Sequence, residues 1–592
     1  MKRGLGVFAL LAVLAAGARW AIAPSSAGSE SKAAARTVVF PHGSQKSEDT
    51  TCSEFADQRG ATDAGPRGEL ITLIDEFLRN GGRTPSGDAI SLPAGVRIVV
   101  ATVPDPLHTH LNLQFDRVME AIQQAAQDEG YTYDRSWLPW KAHPAEFGSR
   151  TDQGNEEKDT LSRERCPGLI LFRKSFRQTS SHDHDSSYTH GLFVFLVAEK
   201  PTTGVDRTQW DSTVDWIASH RDHASDGALR VMGPTFSGSV ASMVRALADL
   251  QARQTNFTNI LLYTGTVRGC FSYKWLSDEL QSPGMRMRVR LADFNQNDAV
   301  QIDRYFKYLK ERNHSLSEVA ILSEDETAYG GLPDSRSDQP ADATPDPGRD
   351  QQFSPCEPKY LPPDWPLHLY YPRDISALRS AYQEQSIFAS SSESQSGSHV
   401  VLQPQAEASS HNDTDTIVSF GGANLALAQE AQMYGVIDSL RTHAIRFVIL
   451  RSTSTLDYLF LTRFLHRAYP DAFIVTMGED MLFGREIDST EFRGVQALSA
   501  YPLLPRGQDW TAASNNTVRH AHRIFGSDSM EGDYLATRFL ISDPPASPGE
   551  PTPYVHAGKP NLPDYDAPFF ATRQASQSEP STWLSVIGRN GY

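Results

Sequence analysis

The sequence predicts an α/β protein of two lobes, each a parallel sheet flanked by helices, with an N-terminal extension and long polar inserts. Three observations predict it. Short apolar runs alternate with segments whose apolar residues recur at helical spacing, the pattern of buried strands joined by amphipathic crossover helices. The alternation starts near Arg97 and starts again after Asp293. The chain has 592 residues, roughly four times the usual length of one domain.

In the extension, residues 24–94, Leu70, Ile71, Leu73, Ile74, Phe77 and Leu78 mark a single helix. The first lobe, 95–292, opens with the strand Ile98-Val99-Val100-Ala101, followed by a helix through Phe115, Val118, Met119, Ile122 and Ala126. Further strands lie at 169–172, 192–197, 229–232 and 260–263, and a helix after the third of these runs to Leu250. All are read as βα units, which imply a parallel sheet covered on both faces.

The second lobe, 293–499, begins with a helix around Ile302, Tyr305, Phe306 and Leu309. Strands follow at 319–322, 447–450, 473–475 and 494–497, with helices at 425–440 and 456–468. A return segment, 500–592, is Pro-rich until a last apolar strand at 583–587. That strand either closes the first lobe or marks the truncation of a longer chain. Residues 331–368, which hold nine prolines, together with 385–416 and 176–190, lack the apolar content to fold and are read as surface loops.

Composition narrows the function. Hydrophobic residues make up 39% and charged residues 21%, so the chain as a whole is not disordered. Against 72 Asp and Glu stand 55 Lys and Arg, a net charge of −17 that repels phosphate backbones and excludes nucleic acid as a partner. Met1-Lys2-Arg3 followed by an uncharged stretch from Gly4 to Ala18 and by Ala21-Ile22-Ala23 has the grammar of a signal peptide, residues 1–23. The apolar run is shorter than the roughly 20 residues that span a bilayer. The protein is expected in the periplasm or another extracytoplasmic space, anchored through residues 4–23 if the segment is not cleaved. Four cysteines, Cys52, Cys166, Cys270 and Cys356, contain no C-x-x-C pair. They allow three pairings; one, Cys52 with Cys166, would tie the extension to the core.

The most informative segment is Met232-Gly233-Pro234-Thr235-Phe236-Ser237-Gly238-Ser239-Val240, where a buried strand turns through small residues into a helix. Free backbone N–H groups and hydroxyls at such a junction point into the cleft at the carboxyl end of a sheet and suit a carboxylate. Ordinary N-capping by Ser237 or Ser239 explains the same residues. One unit later Tyr263-Thr264-Gly265-Thr266 repeats the arrangement, and Ser323-Glu324-Asp325-Glu326-Thr327-Ala328-Tyr329-Gly330-Gly331 follows the second lobe's first strand.

The order of these segments resembles the type I periplasmic binding proteins. The match runs through the hydroxyl loops at 235–239 and 264–266, the crossover Asp293, the Val-Ala-Ile-Leu strand, the loop ending Tyr329-Gly330, Tyr371-Pro372-Arg373-Asp374 and Ala468-Tyr469-Pro470-Asp471, covering roughly 95–500. The resemblance implies two Rossmann-like lobes that close on a small polar solute, an amino acid or small carboxylate, for a transporter or a signalling partner. It implies that Ser237, Gly238, Ser239, Thr264 and Thr266 hold an anionic group from the first lobe. Tyr329 and Glu479 would reach in from the second, Glu479 as acceptor for an amino group, and Asp293 would be structural. The inserts are unusually long for this family, and Phe236 stands where a polar residue is the rule. A scaffold that regulates an envelope partner through the same fold, with no ligand, is the alternative.

No cofactor or metal is expected. His108-Thr109-His110 with Asp105, and the loop carrying His182, His184 and His190, have no fourth ligand in place and read as loop histidines. Neither G-x-S-x-G, H-E-x-x-H nor G-x-x-x-x-G-K-[ST] occurs. The adjacent carboxylates Glu324/Asp325 and Glu479/Asp480 point apart on an extended backbone, so neither pair is a dyad, and the chain reads as a non-enzyme. Sequons at Asn256, Asn313, Asn412 and Asn515 carry little meaning in a bacterial host.

Overall fold

Strands that are apolar along their whole length need cover on both faces, and the computed structural model has two sheets covered in that way. It describes residues 52–55, 68–80, 96–109, 111–140, 165–175, 189–220, 228–253, 257, 259–280, 287–325, 327, 329, 366–373, 375–382, 426–485, 490–503, 525–542 and 582–588. All of them fall in one compact unit, 50–592. The signal-like segment, most of each polar insert, His110, His182, His184 and Cys356 lie outside the described residues.

The first lobe holds α1 (Glu69–Asn80), β1 (Val96–Pro104), α2 (Asn112–Asp128), β2 (Thr132–Trp137), β3 (Gly168–Ser175), β4 (Thr189–Lys200) and β5 (Gly204–Val205). It continues with α3 (Arg207–His220), β6 (Ala228–Met232), α4 (Val240–Ala252), β7 (Asn259–Thr264), α5 (Cys270–Leu280) and β8 (Arg288–Asp293). The sheet order is β2-β3-β4-β1-β6-β7-β8, with β5 added beside β4. Strands β4, β1, β6, β7 and β8 pair in parallel.

Within β4, Phe193, Phe195 and Val197 face α1, α3 and α4, while Leu192, Val194 and Leu196 face α2. Period-two alternation inside an all-apolar run therefore builds two cores from one strand. Truncating Phe195 would cost about 3–5 kcal/mol.

One expectation changes here. The runs at 169–172 and 192–197 are not successive parallel βα units but pair with each other antiparallel, as β3 and β4. The extension packs on the lobe: Leu70, Ile71, Ile74 and Phe77 of α1 sit in the first core, and of the three pairings open to the cysteines the bond Cys52–Cys166 is present, tying the extension to the core.

The second lobe contains α6 (Asp298–Glu311), β9 (Val319–Glu324), β10 (Leu367–Tyr371), α7 (Ala426–Thr442), β11 (Phe447–Arg451), α8 (Thr455–Ala468), β12 (Phe473–Met477), α9 (Met481–Arg485) and β13 (Gln496–Ser499). After β13 come α10 (Asp528–Ser542) and β14 (Trp583–Val586). The second sheet runs β10-β9-β11-β12-β13-β14. Ala320, Leu322, Val448 and Leu450 face α7 and α8, and Val319, Ile321, Phe447 and Ile449 face α6. The final strand thus joins the second sheet, antiparallel to β13, and does not close the first lobe.

Helix α10 returns to the first lobe instead, packing Met530, Tyr534 and Leu540 into the core shared with α2. Its closest approach is backbone to backbone: a Cβ on Gly532 would lie 2.1 Å from the Gly265 carbonyl oxygen, so no side chain fits between helix and strand loop. Among the described elements the chain consequently passes between the lobes three times, before α6, before α10 and before β14. The passages are hydrogen-bonded together: the Tyr501 hydroxyl donates to the Phe294 carbonyl, and the Thr582 hydroxyl to Gln296 Oε1 at 2.7 Å. Among the described residues no helix is long and apolar enough to cross a membrane.

Candidate functional site

The carboxyl ends of both parallel sheets converge on a cavity of about 90 Å³. A single water needs roughly 10–15 Å³, so a small solute of several heavy atoms fits. The walls come from the loops after β6 and β7 in the first lobe, from the loops after β9, β11 and β12 in the second, and from the start of α10.

Ser237, Gly238, Thr266, Tyr329 and Glu479 all line this cavity. Ser239 and Thr264 do not, and their hydroxyls are committed elsewhere: Ser239 donates to the Lys200 carbonyl at 3.0 Å and Thr264 to the Pro234 carbonyl at 2.9 Å. The Thr266 hydroxyl donates to the Thr235 carbonyl at 2.6 Å. Neither Ser237 nor Ser239 caps α4 or the short turn before it through its side chain. Asp293 accepts from the Asn295 amide at 2.9 Å and shapes the first passage; burial pushes its pKa up to about 8, against the opposing pull of that amide and of Arg268.

An anion cradle does form at the end of β6, and the protein fills it itself. Glu199, fully buried at the end of β4, accepts from the Thr235 amide at 2.9 Å on both oxygens and from the Phe236 amide at 2.8 Å. Burial without a paired cation raises its pKa despite these hydrogen bonds.

Glu479 departs from its expected role. Its two oxygens accept from the Ser585 hydroxyl and, at 2.7 Å, from the Leu503 amide, so it binds the second passage to β14 rather than an amino group. Burial raises its pKa to about 7, partly opposed by those two donors. Neighbouring Asp480 points the other way, toward the first lobe.

The principal charges of the site were not singled out from the sequence. Arg268, just after Thr266, forms a buried ion pair with Asp528 at the start of α10 and donates to the Met477 carbonyl at 3.3 Å. Burial works against the Arg268 charge, yet Asp528, Tyr329 and Asp298 together hold its pKa above the ordinary value. The pair explains Gly478: φ is +93° there, and a Cβ would lie 2.7 Å from Arg268 Nη1 and 2.8 Å from the Asp528 carboxylate. On α2, Arg117 grips Asp480 with both terminal nitrogens, the Nη2–Oδ1 distance being 2.8 Å, and donates to the Thr455 hydroxyl at 3.2 Å. That contact joins the two lobes directly.

Ser452-Thr453-Ser454-Thr455 also went unmarked, although it is a hydroxyl loop after a buried strand, the same signal that marks 235–239. Thr453 hydrogen-bonds Glu324 through its hydroxyl and, at 3.3 Å, its amide. His108 rests against Asp105, Nδ1 to Oδ2 2.9 Å, with Lys200 3.7 Å from the same oxygen, and His190 belongs to β4.

Two parallel-rich sheets flanked by helices, each with its first strand inside the order rather than at the edge, and three passages between them among the described elements have the architecture of the type I periplasmic-binding fold. No family model matches the chain, and no curated protein matches its sequence. Among solved structures it is similar to a leucine-binding protein of Thermotoga maritima, at 9% identity over 75% of this chain and 81% of that one, with a TM-score of 0.34. It is also similar to a leucine-, isoleucine-, valine-, threonine- and alanine-binding protein of Brucella ovis in a closed conformation, at 9% identity over 76% and 78%, with a TM-score of 0.33.

Proposed function

We propose that this protein binds a small polar solute between its lobes and presents the closed form to a transporter or signalling partner outside the cytoplasm. One observation carries the reading: a single cavity is walled by both lobes and by the start of α10, while Arg117 bridges the lobes at its edge. Ligand contacts made only when the lobes meet would then shift the population toward closure. The reading is of a binder rather than a catalyst. Glu479, Asp480 and Asp528, the carboxylates of the wall, each accept from donors of the protein itself, leaving none poised as a base. Within the described residues the Ser237 hydroxyl and the Gln114 side-chain amide have no hydrogen-bond partner, and both line the cavity.

Thermal-shift screening of the chain against small polar solutes, followed by X-ray scattering, tests this. A binder raises the melting temperature of the wild type and not of a Ser237→Ala, Gln114→Ala variant. Arg117→Ala should enlarge the radius of gyration in the absence of ligand, and saturating ligand should restore it. A screen without any response that depends on Ser237 and Gln114 removes the binding reading and leaves the scaffold.

A further inference from the structure

The charges of the cleft are matched within the protein, and from that matching we infer that the solute is uncharged: an amide, polyol or sugar rather than a carboxylate, an amine or an amino acid. The inference rests on the binding reading above.

A free carboxylate would need donors with spare capacity. The amides of Thr235 and Phe236 already serve Glu199. Arg268 is held by Asp528 and by the Met477 carbonyl, and Arg117 by Asp480 and Thr455.

A cationic group meets the converse obstacle. Asp480 is taken by Arg117 and by the Leu482 amide at 2.9 Å, Asp528 by Arg268 and by the Ser499 hydroxyl at 3.3 Å, and Glu479 by Ser585 and Leu503. The Tyr329 ring already carries the Arg451 guanidinium, centred 4.6 Å from it, which removes it as a seat for a cation.

Among the described side chains of the wall, the Ser237 hydroxyl and the Gln114 amide have no partner; they are neutral groups that both donate and accept, beside the apolar surfaces of Phe236, Met477 and Phe483. Those groups pair fully with an uncharged polar solute. An ion would lose its hydration in the closed cleft without a counter-charge.

The test uses isosteric probes on the full chain. Isobutyramide, isobutyrate and isobutyramidine share size and shape and differ in charge and in the donors and acceptors that go with it; valine, other primary amides, polyols and monosaccharides complete the panel, read by thermal shift and calorimetry. The expected hits are uncharged, and their shift is lost in Ser237→Ala, Gln114→Ala. Isobutyrate, isobutyramidine or valine giving a shift that is lost in that variant overturns the inference while leaving solute binding intact. A panel with no such hit in any class sinks the binding reading and this inference together. A second measurement addresses the filled cradle. Glu199→Ala should lower the melting temperature, and formate, but not formamide, should restore part of the loss, with no formate response in the wild type. Should Glu199→Ala fail to fold, Glu199→Ser, which also vacates the carboxylate position, with the same additives replaces it. Stabilisation of the wild type by formate, lost on Ser237→Ala, overturns the proposal.

Discussion

Two loops face each other across the cleft, 234–238 after β6 and 452–455 after β11, and each is held by a buried glutamate from another strand of its own sheet, β4 in the first and β9 in the second. Glu199 takes the backbone amides of Thr235 and Phe236, beside the Thr102 and Ser239 side chains. Glu324 takes the hydroxyl and the amide of Thr453. The glutamate thus grips the first loop itself only by main-chain amides, whereas its grip on the second includes a side-chain hydroxyl. The second also reaches across the cleft, because Thr455 and Asp480 meet Arg117. On the binding reading, the first wall would serve as the seat and the second as the part that closes on it.

The sharpest way to break this contrast is Arg268→Ala. It strands Asp528, which is buried, on the seat side of the cleft, and should cost about 3–5 kcal/mol of unfolding free energy. Denaturant titration measures it, and a loss below about 1 kcal/mol would mean that the pair is solvated.

Next in size is a pH effect at the passages. Glu479 ordinarily titrates at 4.5 and is raised to about 7, so the folded state holds its proton more tightly than the unfolded state does. The resulting stability is complete below pH 4.5 and is lost as pH rises to about 7, a fall of about 3 kcal/mol. Glu479→Gln should remove that part of the slope in denaturation curves taken across this range.

Glu199→Gln and Thr453→Val compare the two grips directly. The former weakens the acceptor for two buried amides and should cost about 1–3 kcal/mol, the latter about 1 kcal/mol. Equal losses would erase the distinction between the walls. Smallest of all, Ser237→Ala should change stability by no more than about 0.5 kcal/mol while abolishing any ligand-induced melting shift.

The strands at 98–101, 229–232, 260–263, 319–322 and 447–450 were legible because burial on both faces leaves little room for polar residues; Arg230, whose Nε donates to the Leu540 carbonyl at 3.0 Å, is the exception. Edge strands β2 and β10, with Arg135 and His368 on them, carry no such signature. Nor does α10, which is buried over most of its length with Glu531 and Asp533 inside; lacking a polar face, it has no stripe to read. In the site, strand-end hydroxyls announced Ser237 and Thr266. Whether a hydroxyl faces the cavity or a carbonyl was not visible, and this is what separates Ser237 from Ser239 and Thr264. Arg268 and Arg117 carry no mark in the sequence, since their partners Asp528 and Asp480 lie far along the chain. Glu199 was hidden for the same reason: it ends β4 but serves the loop after β6.

The wandering path of the chain has a consequence for how the molecule comes into being. Each lobe is completed by a piece made after the other: the first waits for α10 and the second for β14. During synthesis the apolar side chains of Met232, Tyr263 and Phe294 stay uncovered until α10 emerges, and neither lobe can be obtained whole by cutting the gene at the first passage. A designer wanting one lobe alone would have to splice the distant segment back in.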